Sequence, residues 1–478
     1  MSAYAKFLMY LPEVRSPQKK GSLKSRLFWT FSILVLFLFL AAIPLYGINS
    51  DQAQYFKTLE LLLGAKIGKL MTLGIGPIVT ASIVLQLFKG AGILKLETSS
   101  EHGRFVYNGT HKLLTFLFII AEGIVYVAFG AVSPSDPSLF WIVALQMMAG
   151  GFIVFYLDDI VKKWGIGSGV SLFIAAGIGS AVFLQLFSPF TQEGVFAYGT
   201  GEAPIGKFWA FFYYLANPVA ADSIFLNPMF TSVLGPVLVT VGLFFLIVFF
   251  QSINVEIPLS FGRVRGQSFK WPLNFFYSGV IPIILVSALA ANLQLWARLL
   301  ESVATRADAS SVTRFISEHI LGQFQGGSQP ISGFISWIYP HDIWSNIGNL
   351  FSLDVWPKML SYVLYLTIFA TLFAYLWIQT SGLDARSQAR NIINSGLQIP
   401  GFRKDERIIE KILDRYIVPL TLMGGAGIGL LAATADILAA LTSGTGILLL
   451  IMVIYQFYQQ LARESMEDFT LLKKLMRK

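Results

Sequence analysis

The chain has 478 residues, of which 55% are hydrophobic and only 13% charged, with a formal net charge of +8 and a mean hydropathy of +0.65. A soluble domain of this composition would expose large apolar patches, so the composition indicates a polytopic membrane protein. The absence of cysteine excludes disulfides, thiolate chemistry and cysteine metal sites. The spans are expected to be helices, because the apolar runs are long and unbroken and a bilayer offers backbone groups no water.

The first residues form a basic, partly amphipathic segment, residues 1–26, which we expect to lie on the membrane surface. A first span is predicted at residues 27–45. Residues 51–63 mix apolar and charged side chains, a pattern typical of a short amphipathic helix. This helix is too short to span the membrane.

An unusual apolar stretch, residues 73–88, opens with a Gly-Ile-Gly-Pro sequence and is shorter than the roughly 20 residues that a spanning helix needs. Residues 279–292 repeat its design, with an early proline followed by small and polar residues. Helical spacing puts Ile75 and Val79 on one face and Thr80 on another, so that one face can line a route while the other meets a neighbouring helix. Ordinary core packing explains the same pattern at least as well.

Ten spans are predicted, five in each half of the chain. They are residues 27–45, 73–88, 113–132, 139–161 and 170–187, then 229–250, 273–295, 355–378, 417–435 and 447–461. With the N-terminus inside, the inner segments hold 27 of the 35 Lys and Arg residues, as the positive-inside rule expects. Both termini are therefore predicted to be cytoplasmic.

The two halves are predicted to have opposite orientations, because each contains an odd number of spans. Glycine-rich turns at residues 167–169 and 443–446 open the fifth and the tenth span, and prolines interrupt the second span of each half. Interrupted segments at matching positions of inverted halves indicate a pathway at their interface near the middle of the membrane.

Groups for catalysis or ion coupling are sparse. The sequence predicts that the four histidines lie in loops or at span ends, without metal-ligating spacing: His102, His111, His319 and His341. Glu122 is predicted to lie inside the third span, where ion coupling or hydrogen bonding to other helices would explain it. Hydrogen bonding is favoured, because no embedded Lys, Arg or second carboxylate is found at helical spacing.

Three further acidic residues lie near span ends. Asp158 and Asp159 are close in sequence to Lys162 and Lys163, which favours an interfacial salt-bridged cluster. Asp436 is predicted at the outer end of the ninth span.

Two basic clusters on inner loops, residues 262–267 and 403–415, have two readings of similar weight. They set topology or touch anionic lipid, or they bind a phosphate-rich partner such as ribosomal RNA.

An apolar pathway would suit neither an ion filter nor a polar solute site, but it would suit a seal that excludes water and admits large, varied cargo. A secondary transporter with inverted repeats is the main alternative, and it would require embedded charges that bind coupling ions. An intramembrane hydrolase lacks a nucleophile and a base at usable spacing. The sequence therefore predicts no enzyme activity and no cofactor.

Several motifs, in this order along the chain, together resemble the SecY family. They are Leu-Pro-Glu-Val at 11–14, Ile-Pro-Leu-Tyr-Gly at 43–47, Gly-Pro-Ile-Val-Thr at 76–80, Gly-Ser-Gly at 167–169, Arg-Val-Arg-Gly-Gln at 263–267 and Ser-Gly-Thr-Gly-Ile-Leu at 443–448. The resemblance covers nearly the whole chain and is stronger to the archaeal and eukaryotic branch. It implies a protein-conducting channel that passes unfolded secretory chains and releases transmembrane segments sideways into lipid.

The resemblance also assigns roles to individual residues. The apolar ring at the waist would be formed by Ile75, Val79, Val170, Ile174, Ile281, Ile284 and Leu449. The lateral gate would contain Thr80, Glu122 and Asn292. The plug helix, residues 53–63, would include Ala53, Phe56, Leu59 and Leu63. The ribosome-binding residues would be Arg263, Arg265 and Arg403. Val170 departs from the isoleucine usual in the ring.

The fold implied is all-α, with ten transmembrane helices in two inverted five-helix halves and a short plug. Its predicted parts are a cytosolic segment (1–26), a first half (27–187), an extracytoplasmic loop (188–228), a second half (229–461) and a cytosolic tail (462–478). The implied partners are SecE-type and Secβ-type small subunits, the ribosome, signal peptides, nascent chains and membrane lipid. The implied location is the cell membrane. The outer loops at 188–228 and 298–354 do not align with the family's pattern.

Overall fold

The computed structural model describes residues 3–19, 21–48, 68–90, 93–94, 101–129, 132–191, 195–198, 200–218, 227–261, 268–304, 310–325, 329–343, 355–398 and 405–475. Fifteen α-helices occur in these ranges. They are α1 (Ala3–Met9), α2 (Leu23–Leu40), α3 (Gly76–Gly90), α4 (Glu101–Ala128), α5 (Phe140–Trp164), α6 (Gly169–Phe187), α7 (Lys207–Ala216), α8 (Gly235–Ser252), α9 (Ile281–Ala304), α10 (Ser311–Phe315), α11 (Gly333–Trp337), α12 (Trp356–Ser381), α13 (Ala385–Asn394), α14 (Glu406–Ile437) and α15 (Gly444–Leu475).

The predicted spans coincide with helices. Nine helical segments in the described part of the chain are long and apolar enough to cross a membrane, and the shorter apolar α3 corresponds to the second predicted span. The last helix, α15, continues to Leu475, well beyond the predicted end of the tenth span at residue 461. The helix therefore includes most of the predicted cytosolic tail.

Two predicted span boundaries are wrong because they lie well outside the helices. The first span was expected to reach residue 45, but α2 ends at Leu40, and Pro44 forms an isolated β-bridge with Lys69. A proline disfavours helical backbone at the preceding residue, which explains the early end. The seventh span was expected from residue 273, but α9 begins only at Ile281, because residues 273 and 274 end a strand and residues 275–280 form bends and turns.

That strand belongs to a β-hairpin. Strands β1 (Asn254–Phe261) and β2 (Ser268–Asn274) are antiparallel, and β5 (Leu397–Gln398) pairs with the other edge of β1. A separate short hairpin pairs β3 (Phe324–Gln325) with β4 (Gln329–Pro330). Apolar residues of β1 and β2 pack with α13 and the first turns of α14 in a hydrophobic core separate from that of the main bundle. The basic cluster at residues 262–267 thus connects two strands of a packed sheet.

Helix α9 has an interior position in the bundle. In its membrane-crossing window, 78% of the residues are buried, compared with 17% for α2. It contacts α3 of the first half as well as α12 and α15 of the second half. The two short, proline-containing stretches singled out in the sequence, residues 73–88 and 279–292, therefore lie against each other.

Helices α12 and α14 pack closely because α14 presents glycines to α12. A Cβ atom on Gly429 would lie 2.6 Å from the Leu366 carbonyl oxygen, and one on Gly425 would lie 2.9 Å from the Cα atom of Thr371. Small residues spaced four apart are a common means by which membrane helices bring their backbones together.

We expect Gly429→Ala to lower the thermal stability of the purified protein, because an overpacked core contact costs about 1–3 kcal/mol. The matched control is Gly242→Ala on α8, since a Cβ atom there meets nothing within 4 Å. That control should leave the melting temperature unchanged or slightly higher, because alanine has the better helix propensity. Equal melting temperatures for the two variants would contradict the packing argument.

Candidate functional site

The seven predicted ring residues lie on or beside four helices that meet in the interior. These residues belong to α3, α6, α9 and α15, with Ile75 one residue before α3. Five of the seven are buried, while Val170 and Ile281 are half-buried and pack against the same hydrophobic core. Helix α9 contacts α3 and α15, and α15 contacts α6. The predicted ring is therefore part of one continuous apolar core that includes both halves.

The three predicted gate residues come together beside this core. Asn292 on α9 donates a side-chain hydrogen bond of 3.1 Å to the Thr80 hydroxyl on α3, which itself donates to the Gly76 carbonyl at 2.9 Å. The Glu122 side chain of α4 lies close to the Thr80 hydroxyl. Thr80 and Asn292 are buried, so this polar cluster joins the first half to the second inside the bundle.

The prediction that all four histidines lie in loops or at span ends is wrong for His111. Helix α4 begins at Glu101, twelve residues before the predicted span, and it therefore includes His111. The His111 Nε2 atom lies 2.7 Å from the Ser82 hydroxyl of α3. Hydropathy detects only the apolar part of a helix, and polar turns outside that part are missed. Among the described residues, no group of His, Asp and Glu is arranged to hold a metal ion.

The cluster predicted around Asp158 is present and has an additional role. Lys162 pairs with Asp158 at 2.5 Å, and Lys163 pairs with Asp159 at 3.2 Å. Asp158 is only 2% exposed, and its second oxygen accepts the backbone N–H of Val170 at 2.9 Å. The carboxylate thus caps the N-terminus of α6, where unpaired N–H groups and the helix dipole favour a negative charge.

Asp436 caps α15 in the same way. It is 7% exposed, and one carboxylate oxygen accepts the backbone N–H groups of Gly444 at 2.6 Å and Thr445 at 3.3 Å. The other oxygen accepts the hydroxyls of Tyr362 at 2.7 Å and Thr445 at 2.8 Å. Four donors therefore satisfy this buried carboxylate.

The two aspartates occupy matching places in the two halves. Each lies towards the end of the fourth helix of its half and caps the fifth, and each cap requires a glycine. A Cβ atom on Gly169 would lie 2.6 Å from the Cα atom of Asp158, and one on Gly444 would lie 2.1 Å from the carbonyl carbon of Ala435. The glycine-rich turns recognised in the sequence thus allow this close approach. The acidic residue preceding each turn is the sequence signal that identifies its cap.

The N-terminal segment is held by contacts with Lys112 of α4 and with the C-terminal end of α5. Glu13 forms an ion pair with Lys163 and lies 3.8 Å from the ammonium group of Lys112. The Val14 N–H donates to Asp159 at 3.0 Å, and Lys163 donates to the Val14 carbonyl oxygen at 2.6 Å. These contacts fix the chain just before α2.

We expect acidification to release this segment. The hydrogen bond from Lys163 holds the pKa of Glu13 below its ordinary value. A lowered pKa means that the attraction is fully present above the ordinary value and is lost as the pH falls through the lowered one. A spin label on Pro17→Cys in this cysteine-free chain should become more mobile in acid, and Glu13→Gln should give high mobility at every pH. If neither acid nor Glu13→Gln changes the mobility of the label, the Glu13 ion pair does not hold this segment in place.

Some predicted site residues lie outside the described residues. These are the plug residues Ala53, Phe56, Leu59 and Leu63, and the basic residues Arg263, Arg265 and Arg403. Their roles stay predictions.

Sequence comparison relates the chain to a single family along most of its length. A family model described as SecY matches residues 69–458. The protein translocase subunit SecY of Pyrococcus furiosus is 38% identical over 474 residues, which is 98% of this chain and 97% of the relative. That of Methanothermobacter thermautotrophicus is 37% identical, covering 96% of this chain and 94% of the relative.

Solved structures agree with the sequence comparison. One, described as the structure of a protein conducting channel, has a TM-score of 0.78 and 33% identity, covering 96% of both chains. A second, described as Sec61 in the canine ribosome-channel complex from the endoplasmic reticulum, has a TM-score of 0.75 and 33% identity, again covering 96% of both chains. The similarity in fold and in sequence therefore extends over the same nearly complete length.

Proposed function

This chain belongs to the SecY family, and from that premise we propose how its own residues conduct a polypeptide. The chain is the pore-forming subunit of a protein translocase and a multi-pass membrane protein. The observation that carries the mechanism is the apolar core shared by α3, α6, α9 and α15, with a small polar cluster beside it that links the two halves.

We assign the seal to the seven ring residues. Their side chains are all aliphatic and are buried or half-buried in the shared core. A constriction lined in this way resists wetting and so blocks ions, yet it offers no fixed coordinating group that would select one cargo over another. Flexible aliphatic side chains can move aside for an unfolded chain of any sequence.

We assign the lateral gate to Thr80, Glu122 and Asn292. The hydrogen bond from Asn292 to Thr80 joins the two halves, and a bond of this kind contributes about 0.6 kcal/mol on average within a membrane. Burying one leucine-sized side chain contributes about 1.5–3 kcal/mol. For an apolar signal segment that moves from water into the space between α3 and α9, burial of one such side chain therefore outweighs the loss of this hydrogen bond.

The transporter alternative receives less support. Coupling ions require embedded charges beside the pathway, and the helices that carry the ring contribute aliphatic and neutral polar side chains to it. Passage through the ring makes and breaks no covalent bond, and we propose no enzyme activity. We also propose the five parts of the chain as predicted from the sequence. Both termini are placed in the cytoplasm because most Lys and Arg residues lie in the segments on that side.

The proposed partners are the ribosome, nascent chains with their signal peptides, SecE-type and Secβ-type small subunits, and membrane lipid. One similar structure is described as a ribosome-channel complex. The basic cluster at residues 262–267, which follows β1 and precedes β2 in the sequence, is suited to contact a phosphate backbone because it contains two arginines. The plug is assigned to residues 53–63.

We expect Arg263→Glu with Arg265→Glu to weaken ribosome binding, and to do so most at low salt, because phosphate contacts are screened by ions. The measurement is co-sedimentation of ribosomes with reconstituted vesicles across a salt series. The control is Lys358→Glu, because Lys358 is predicted at the outer end of the eighth span, away from the ribosome. If the arginine variant and the control bind ribosomes equally at every salt concentration, these arginines do not contact the ribosome and serve only to set the membrane topology.

The experiment that tests the function is site-specific photocrosslinking to a stalled, radiolabelled secretory chain. Probes at Val79 and Ile284 face the shared core, whereas probes at Leu87 on α3 and Trp296 on α9 occupy exposed positions on the same helices. The channel predicts crosslinks at the first pair and weak or absent ones at the second. No crosslink at Val79 and Ile284, with the ribosome bound, would overturn this pathway.

A further inference from the structure

The outer loop between α6 and α8 contains a short aromatic helix, α7, with the sequence KFWAFFYYLA. Four of its apolar side chains, Phe208, Trp209, Phe212 and Leu215, are 46–62% exposed. Their spacing places them along one side of the helix, while Ala210 is buried on the other side. This exposed face carries no charge.

The exposed face continues the outer surface of α6. The Trp209 indole N–H donates to the Phe187 carbonyl oxygen at 3.0 Å, and the Phe208 ring centre lies 6.2 Å from that of Phe187. Phe187 in turn lies 5.1 Å from Phe183, and both are exposed at the end of a membrane-crossing helix. The apolar surface therefore runs without interruption from a lipid-facing span onto α7.

Two polar side chains of this region bond to its own backbone. The Tyr213 hydroxyl donates to the Gly201 carbonyl oxygen at 2.6 Å, and the Asn217 amide donates to the Tyr213 carbonyl oxygen at 3.2 Å. Between α7 and the preceding loop lies a mainly apolar groove of about 540 Å³, with walls that include Phe196 and Tyr198. The groove extends the same apolar surface towards the loop.

We propose that α7 is an interfacial helix that inserts its exposed aromatic face into the lipid at the extracytoplasmic side of the membrane. Aromatic residues with a polar edge concentrate at this depth of a bilayer, and helices with one apolar face lie in its plane. Lipid is the occupant because the face is continuous with a surface that lipid already covers. In this arrangement α7 fixes the depth of the junction between the two halves.

The cysteine-free sequence permits a direct test by nitroxide labelling of single cysteines. Phe212→Cys and Leu215→Cys report on the face, and Glu202→Cys, in the exposed loop before α7, is the matched control. The labelled protein is reconstituted in phosphatidylcholine vesicles containing some phosphatidylglycerol. Collision rates are then measured with molecular oxygen, which concentrates in lipid, and with a water-soluble nickel chelate.

The lipid assignment predicts high oxygen and low nickel accessibility at positions 212 and 215, and the reverse at position 202. Nickel accessibility at 212 and 215 equal to that at 202 would overturn the proposal, because the face would then contact water. Low accessibility to both reagents, with spectral broadening between labels, would also overturn it in favour of a second copy of the chain. An unchanged melting temperature of each labelled variant verifies that it is folded.

Discussion

Replacing Ile75 and Ile284 together with serine should raise the resting ion conductance of the reconstituted channel by about tenfold or more. The two residues come from opposite halves and are both buried in the shared core. Each loses a side chain whose burial is worth about 1.5–3 kcal/mol. Because 1.4 kcal/mol corresponds to a factor of ten, even part of that loss makes a water-filled state much more accessible.

The conductance is measured in planar bilayers without ribosomes or secretory chains. Ile119→Ser on α4 is the control, because Ile119 is fully buried in the same core but belongs to no predicted ring position. A ring predicts a leak in the double variant and little change in the control. An equal leak in the double variant and in Ile119→Ser, or no leak in either, would mean that the ring residues only pack the core.

A second large effect is expected at Asp436. Removing the carboxylate with Asp436→Ala leaves the backbone N–H groups of Gly444 and Thr445 and the hydroxyls of Thr445 and Tyr362 without their acceptor. Each buried polar group left without a hydrogen-bond partner costs about 1–3 kcal/mol. The summed cost of the four groups therefore approaches the whole free energy of unfolding of many domains. We expect little folded protein to accumulate in the membrane.

The loss is measured as folded yield and melting temperature in detergent. Tyr362→Phe removes a single donor and should cost only about 0.5–1.5 kcal/mol. Asp436→Asn keeps the shape but loses the charge, and its stability should lie between those of the other two variants. A melting temperature for Asp436→Ala close to that of Tyr362→Phe would show that the cap is not essential.

Hydropathy and loop charge were sufficient to predict the membrane class and the order of the spans. Helices such as α8 and α12 are apolar over a length sufficient to cross a bilayer, and an apolar run of that length can be read directly from the sequence. The predicted ring and gate residues came from the resemblance to a known family, because aliphatic residues at helical spacing are the ordinary content of any membrane helix.

Local patterns missed features that depend on distant partners. In the sequence, β2 is followed directly by the apolar turn residues 275–280 and then by α9, so the pairing of β2 with β1 is not visible in hydropathy. The contact between Thr80 and Asn292 joins residues 212 positions apart. The hydrogen bond between His111 and Ser82 likewise depends on where α4 begins. Each of these features depends on the tertiary fold.

The matching aspartate caps have a consequence for how the chain enters the membrane. Each carboxylate accepts backbone N–H groups from the helix that follows it, so α5 with α6, and α14 with α15, are expected to insert as preassembled hairpins. With the N-terminus inside, the first hairpin turns at the side of synthesis, but the second turns at the far side. Asp436 must then cross the bilayer, where a bare charge costs at least about 2.5–3.5 kcal/mol. Neutralisation during transit, or a hairpin that forms first, would make that crossing feasible.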